Sequence, residues 1–249
     1  MTDKRKTPLE TEEITAEMCS ADVRLQALGQ VPFFSMLKSA ELQEINKLFK
    51  EQGFEPNETV YFEGDPADHL YVVAAGKVKL MRHTRSGKDV LLDLLEPGEY
   101  FGSLSPLPDE TYTETAQART TVCSLRIGKE TFRSILANRP GIALRVLEIT
   151  AGRLQAAHER VRQLSAFPVE HRIAFTLLTL AEKFGQPQKG RLLIQTPLSR
   201  DDLAEMTGTT TESASRTISQ LQKAGLIETG RQWVAITDRA RLEAILEEE

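Results

Sequence analysis

Residues 198–226 read LSRDDLAEMTGTTTESASRTISQLQKAGL. That spacing writes two short amphipathic helices separated by a glycine turn. Ser199 stands as the N-cap of the first helix, with Asp202 in the N3 place of an S-x-x-D box, and Leu203 and Met206 supply its inward face. Thr207, Gly208 and Thr209 form the turn. The second helix starts at Thr210 or Thr211, buries Ala214, Ile218 and Leu221, and stops before Gly225, a residue suited to the left-handed position after a helix. Removing the apolar positions leaves Glu212, Ser213, Ser215, Arg216 and Ser219 on or near the outer face.

That outer face has a specific chemistry. Positions 212, 215 and 216 lie together on a helix. Arg216 can donate two parallel hydrogen bonds to guanine O6 and N7, Glu212 can accept from cytosine N4 or adenine N6, and Ser215 can meet a thymine methyl or a phosphate. Thr211, Ser213 and Ser199 complete the candidate DNA-binding set. The bland alternative is that Glu212 closes a capping box with Thr209 and Arg216 is a solvated helix charge; periodicity alone leaves both readings open.

On either side of these helices, LIETGRQWVAIT alternates around Gly230 as a hairpin, and RLLIQTPL upstream reads as a short strand pair after the helix IAFTLLTLAEKFG. Helix, helix, hairpin is a winged helix-turn-helix layout, here over 167–249. Its start is marked by Pro168, which biases Phe167 away from helical backbone. Between Ile142 and Ser165 there is no proline and only Gly152, which allows a helix of many turns. Leu147, Ala151, Leu154, His158, Val161 and Ser165 recur at spacings of four and three, the seam of a coiled coil. A dimerisation helix over 139–166 follows; the alternative is a helix packed on its own domain.

Further upstream the period changes. From Phe54 to Ile127 the runs TVYFEG, HLYVVAAGKVKLMRH, DVLLDLLEPGEYFG and TAQARTTVCSLRI are short and β-rich, punctuated by Gly64, Gly76, Gly87, Gly98 and Gly102. They predict an antiparallel sandwich or barrel, with RHTRSGKDVLLD turning at Ser86-Gly87. Two short helices between Leu25 and Phe49, with Ser39 as an N-cap, form its entry, so this domain spans 23–138 and residues 1–22 are a mobile tail. The whole is an α+β chain: β-roll, long helix, winged helix-turn-helix.

Composition bounds the function. The 249 residues carry a net charge of −5, with 40% hydrophobic residues. No apolar run suits a bilayer span or a secretory signal, so the expected address is the cytoplasm, with no membrane partner. Cys19 and Cys123 are the only cysteines, too few for an all-cysteine iron–sulfur ligand set. Cys123 reads as a core thiol on a strand; Cys19 reads as an exposed bystander, with a redox-active thiol as the alternative. No G-x-S-x-G, H-E-x-x-H or G-x-x-x-x-G-K motif supports an enzyme, no catalytic residue stands out, and no metal site is written.

With these pieces in order, the chain resembles the CRP/FNR family of bacterial transcription regulators from Val23 to Leu246. The resemblance rests on LYVVAAGKVKL, LLEPGEYFGSL, the long helix, the SAFPVEHR hinge and the helix-turn-helix quoted above, all collinear with the family pattern. Glu212, Ser215 and Arg216 match the E-x-x-S-R of an FNR-type recognition helix, which implies TTGAT-like half-sites in a two-fold operator read by a homodimer. The resemblance also implies a cyclic-nucleotide-binding-like roll, an effector site around Gly102, Ser103, Leu104 and Thr113, and RNA polymerase as a partner. Two family features are missing. Tyr112, Thr113 and Glu114 fill the place of the Arg-Ser pair that binds cyclic phosphate, so cyclic AMP is not expected. Asp22 stands where a C-x-x-C would need its second cysteine, so a cluster is not expected either.

Haem, the family's other theme for nitric oxide or carbon monoxide, would draw on His69, His83, His158, His171 or Cys19. Control by gas or redox chemistry, a constitutive regulator set by abundance, and a signalling module docking protein are the readings left standing. Acidity does not exclude DNA. Between Thr196 and Arg241 six cations (Arg200, Arg216, Lys223, Arg231, Arg239, Arg241) face six anions (Asp201, Asp202, Glu205, Glu212, Glu228, Asp238), so the reading region is neutral.

Overall fold

The computed structural model describes residues 7–9, 19–84, 89–104 and 110–247. They fall into two compact units that divide between Ala156 and Ala157. Most of the expected tail, and the Ser86-Gly87 turn, lie outside the described residues.

The first unit opens with α1 (Ala21–Gln30) and α2 (Ser39–Asn46). Eight strands follow: β1 (Lys50–Phe54), β2 (Thr59–Tyr61), β3 (His69–Ala75), β4 (Val78–His83), β5 (Asp89–Leu95), β6 (Tyr100–Gly102), β7 (Thr115–Ala118) and β8 (Val122–Gly128). After them come α3 (Lys129–Asn138) and the first part of α4 (Pro140–Ala166). The strands make two antiparallel sheets, ordered β1-β8-β3-β6 and β2-β7-β4-β5.

Alternation on β3 shows how the layers form. Tyr71 and Val73 point into the roll, where Phe54, Tyr61, Val78, Leu95, Phe101, Tyr112 and Val122 pack between the two sheets. Leu70, Val72 and Ala74 point the other way, into a second core closed by Leu28, Phe33 and Phe34, Phe132 and Ile142. A strand covered on both faces must be apolar throughout, which is why HLYVVAA lacks the polar alternation of an ordinary antiparallel strand. Burial of that length of chain is what fixes β3 as the middle of the unit.

Two local readings need correcting. Ser39 is the first residue of α2, not its cap: the box is closed by Glu41, whose carboxylate accepts from the Lys38 backbone N–H at 3.0 Å. Cys19 is neither an exposed bystander nor a free thiol, and Cys123 is not one: a disulfide joins them, with Cα atoms 5.8 Å apart. The turn into α1 brings residue 19 back over β8, a pairing across 104 residues that no local spacing encodes.

The second unit contains the end of α4, then α5 (Val169–Phe184), β9 (Gly185–Gln188), β10 (Arg191–Ile194), α6 (Arg200–Thr207), α7 (Thr211–Lys223), β11 (Ile227–Gly230), β12 (Trp233–Ile236) and α8 (Arg239–Ala244). Its sheet is ordered β11-β12-β10-β9. The apolar stripe of α5, Ile173, Leu177, Leu180 and Phe184, is buried against α6, α7 and α8. This is the winged helix-turn-helix expected from the sequence. No described helix is long and apolar enough to cross a membrane.

Candidate nucleic-acid interface

The reading element is built by caps at both ends. The Ser199 hydroxyl accepts from the Asp202 N–H at 3.0 Å, and the Asp202 carboxylate accepts from the Ser199 N–H at 2.7 Å, which starts α6. Leu203 is fully buried, whereas Met206 is only half covered. Gly208 then takes φ 59°, where a side chain would be strained and would crowd Leu164. This turn redirects the chain into α7.

The cap of α7 is Thr210, whose hydroxyl accepts from the Ser213 N–H at 3.2 Å. Glu212 therefore does not close a box with Thr209. Its carboxylate instead accepts from the Arg216 guanidinium at 2.8 Å, one helical turn on, with both side chains largely exposed. Ala214, Thr217, Ile218 and Leu221 hold the opposite face in the core. The arrangement presents a carboxylate and a guanidinium side by side above small residues, free of apolar bulk.

The other expected residues sit around this pair. Thr211 donates to the Asp201 carboxylate at 2.6 Å and so ties α7 to α6, while Ser213 accepts from the Thr210 hydroxyl at 3.0 Å. Ser215 is half-buried, and its carbonyl accepts from Ser219. Ser199, at the start of α6, has its hydroxyl engaged by Asp202.

Sequence reasoning missed the supporting cations. Arg200 donates to Thr229 at 2.9 Å, which links α6 to the wing, and Thr229 donates to the Trp233 carbonyl at 3.0 Å. Arg191 pairs with Glu228 and lies 5.3 Å from the Trp233 ring centroid. At the wing tip Gln232 takes φ 62° and Arg231 is exposed. A cation in a two-residue hairpin turn was the available signal.

The seam of α4 is legible on the surface. Leu147, Leu154 and Val161 are 65%, 57% and 61% exposed, Leu144 and Leu164 extend the row, and Ala151 and His158 are exposed between them. Such an apolar stripe on one chain calls for cover.

In the roll, Gly102 closes β6 at φ 84°. An added Cβ there would lie 2.7 Å from the His69 carbonyl oxygen and 3.1 Å from Tyr71. Ser103 donates to Glu110 at 2.6 Å, and Leu104 packs on the helix-side core. Thr113 donates to the Glu114 carboxylate, which also accepts from the Tyr61 hydroxyl at 3.0 Å. The Tyr61 ring stacks on Tyr112 at 3.6 Å. Burial, reinforced by Glu114, pushes the Tyr61 hydroxyl well above the usual phenol range, and burial also raises Tyr71 and Tyr112. A carboxylate and neutral phenols therefore gather beside Gly102. Residues 105–109 lie outside the described set.

The haem candidates do not converge. Cys19 is bonded to Cys123, the His83 ring meets Asp89 at 2.6 Å, and burial holds His69 below the usual imidazole range. His158 is exposed on α4, and His171 is buried and stacked on Phe167 at 3.9 Å. No described group of three or more metal-binding side chains occurs.

Comparison with known proteins matches both units. A cyclic nucleotide-binding domain model matches residues 51–139, and a Crp-like helix-turn-helix domain model matches 171–245. The chain is 32% identical over 216 residues to the probable transcriptional regulator flp of Lacticaseibacillus casei, covering 86% of this chain and 94% of that one. It is 29% identical over 217 residues to a CRP-like cAMP-activated global transcriptional regulator of Mycobacterium tuberculosis, covering 87% and 97%. The solved FixK2 from Bradyrhizobium japonicum shares the fold, with a TM-score of 0.71 at 24% identity over 79% of this chain and 96% of that one. Domain models matched in the expected order and a relative aligned almost end to end carry one conclusion: the chain belongs to the CRP/FNR family of DNA-binding transcription regulators.

Proposed function

We propose that the protein acts as a homodimer that reads a two-fold operator with TTGAT-like half-sites and controls transcription by contact with RNA polymerase. The observation that carries this reading is the exposed Glu212–Arg216 pair on α7, 2.8 Å apart above a floor of small residues. Paired in free protein, the two side chains hold Arg216 extended along the helix, ready to exchange one acceptor for guanine O6 and N7. The exposed leucine row of α4 supports self-association, because a seam of that length buries usefully only against a second helix. Two-fold pairing then spaces two copies of α7 one turn of DNA apart.

The controlling signal is not cyclic AMP. Thr113 and Glu114 stand where a cyclic phosphate needs a cation, and the Glu114 carboxylate would repel it. The test is a mobility shift on a TTGAT-type palindrome. Arg216→Ala is expected to lose about 1–3 kcal/mol per half-site at the guanine position, and added cyclic AMP is expected to change nothing. Equal binding by wild type and variant would remove Arg216 from base reading.

A further inference from the structure

One residue of the α4 seam stands apart from its neighbours. With spacings of four and three, Leu147, Leu154 and Val161 fall in one core row of a coiled coil, and Leu144, Ala151, His158 and Ser165 fall in the other. His158 is the single titratable side chain of the two rows. It is exposed, as are Leu154 and Val161 on either side of it, so no described element of its own chain covers it. On an open surface the charge of an imidazole matters little; inside a pair of helices it bears on whether the pair holds.

We propose that the His158 side chains of two copies meet across the two-fold axis and make self-association proton-sensitive, the dimer weakening as pH falls. The proposal rests on the dimer reading above. Two copies of α7 that read one duplex must both follow the same end of the paired helices, so the two α4 helices run parallel. In a parallel pair, a residue of this row inserts into a hole lined by four residues of the second copy, here Leu154, Ala157, His158 and Val161. Each imidazole thus faces its counterpart, with apolar side chains above and below.

Two neutral imidazoles can share a hydrogen bond, one ring donating its N–H and the other accepting on its bare nitrogen. Two protonated rings have donors only, and they carry like charges in a layer from which water has been displaced. The surroundings do not compensate. From Leu154 to Arg162 the charged side chains are Glu159, Arg160 and Arg162, and the second copy brings the same set. Glu159 accepts from Arg162 at 3.0 Å and from Gln163 at 2.7 Å, hydrogen bonds that hold its carboxyl below the usual range. That carboxylate is therefore already engaged, and the other two charges are cations. Pairing opposes proton uptake in this layer, and by linkage protons oppose pairing. Association is full above the ordinary imidazole range and is lost as pH drops through it.

The experiment is sedimentation velocity of the full chain over a concentration series, at constant ionic strength and with a metal chelator present. The dimer dissociation constant is expected to be at least about tenfold larger at about pH 5.5 than at about pH 8. His158→Asn keeps a polar but uncharged residue in the row and is expected to give the same constant at both pH values. Should asparagine not pair, His158→Leu keeps the seam apolar and carries the same comparison. His83→Gln, on β4 and away from the seam, is expected to keep the wild-type profile. A wild-type constant that changes less than about threefold, a dimer that tightens on acidification, or an acid loss of dimer shared by the His158 variants would each overturn the proposal. A chain that is dimeric but indifferent to pH removes the role of His158 alone. One that is monomeric at both pH values removes the dimer reading, and the proposal with it.

Discussion

Arg216 and Ser199 show two ways in which a polar residue serves a reading domain. Arg216 reaches outward from a helix whose other face is locked in the core. Ser199 turns inward: its hydroxyl is held by Asp202 on both donor and acceptor sides. We expect Ser199→Ala to cost about 1 kcal/mol of stability, within the 0.5–2 range of lost caps, and to leave affinity for DNA nearly intact. Thermal unfolding beside anisotropy checks it; a loss of affinity without a loss of stability would make Ser199 a DNA contact. Both residues were legible in the sequence, because a cap and an outer face are written within four residues of themselves. The start of α7 was legible too, since Thr210 caps a helix that begins at Thr211. Cys19 was read less well, because its partner lies 104 residues away and is brought near only by tertiary packing.

At the scale of elements, α4 and β3 are decided by opposite pressures. β3 is apolar on both faces because helices cover one and the facing sheet the other, so its sequence run was easy to find while its central place in the sheet was not. Strand order depends on pairings such as Val72 with Leu125, between residues more than fifty positions apart. In α4 the apolar row is exposed, and its period was readable because no proline interrupts residues 142–165. Leu154→Glu places a charge in the middle of that row. It is expected to convert the proposed dimer to monomer at micromolar concentration in sedimentation, with the thermal midpoint of the roll nearly unchanged, since Leu154 is outside the cores. A variant that stays dimeric would assign the row to another partner.

For the molecule as a whole, net charge bounds how DNA can be held. The chain carries −5, and its reading region balances six cations against six anions, so few phosphates can be neutralised at once. Were the proposed dimer to make about five phosphate contacts, log affinity would fall against log salt with a slope of about −4.5; a slope steeper than about −8 would mean a basic surface that the charges do not describe. Specificity must then come more from base edges than from bulk attraction, which suits a regulator present among an excess of non-specific DNA. Trp233 gives this a practical form. It is the single tryptophan of the chain, and it sits in the wing beneath Arg191, one residue from the left-handed Gln232. The wing thus carries a built-in optical reporter: intrinsic emission excited at the red edge, where the four tyrosines are silent, should change in intensity as DNA arrives and leaves.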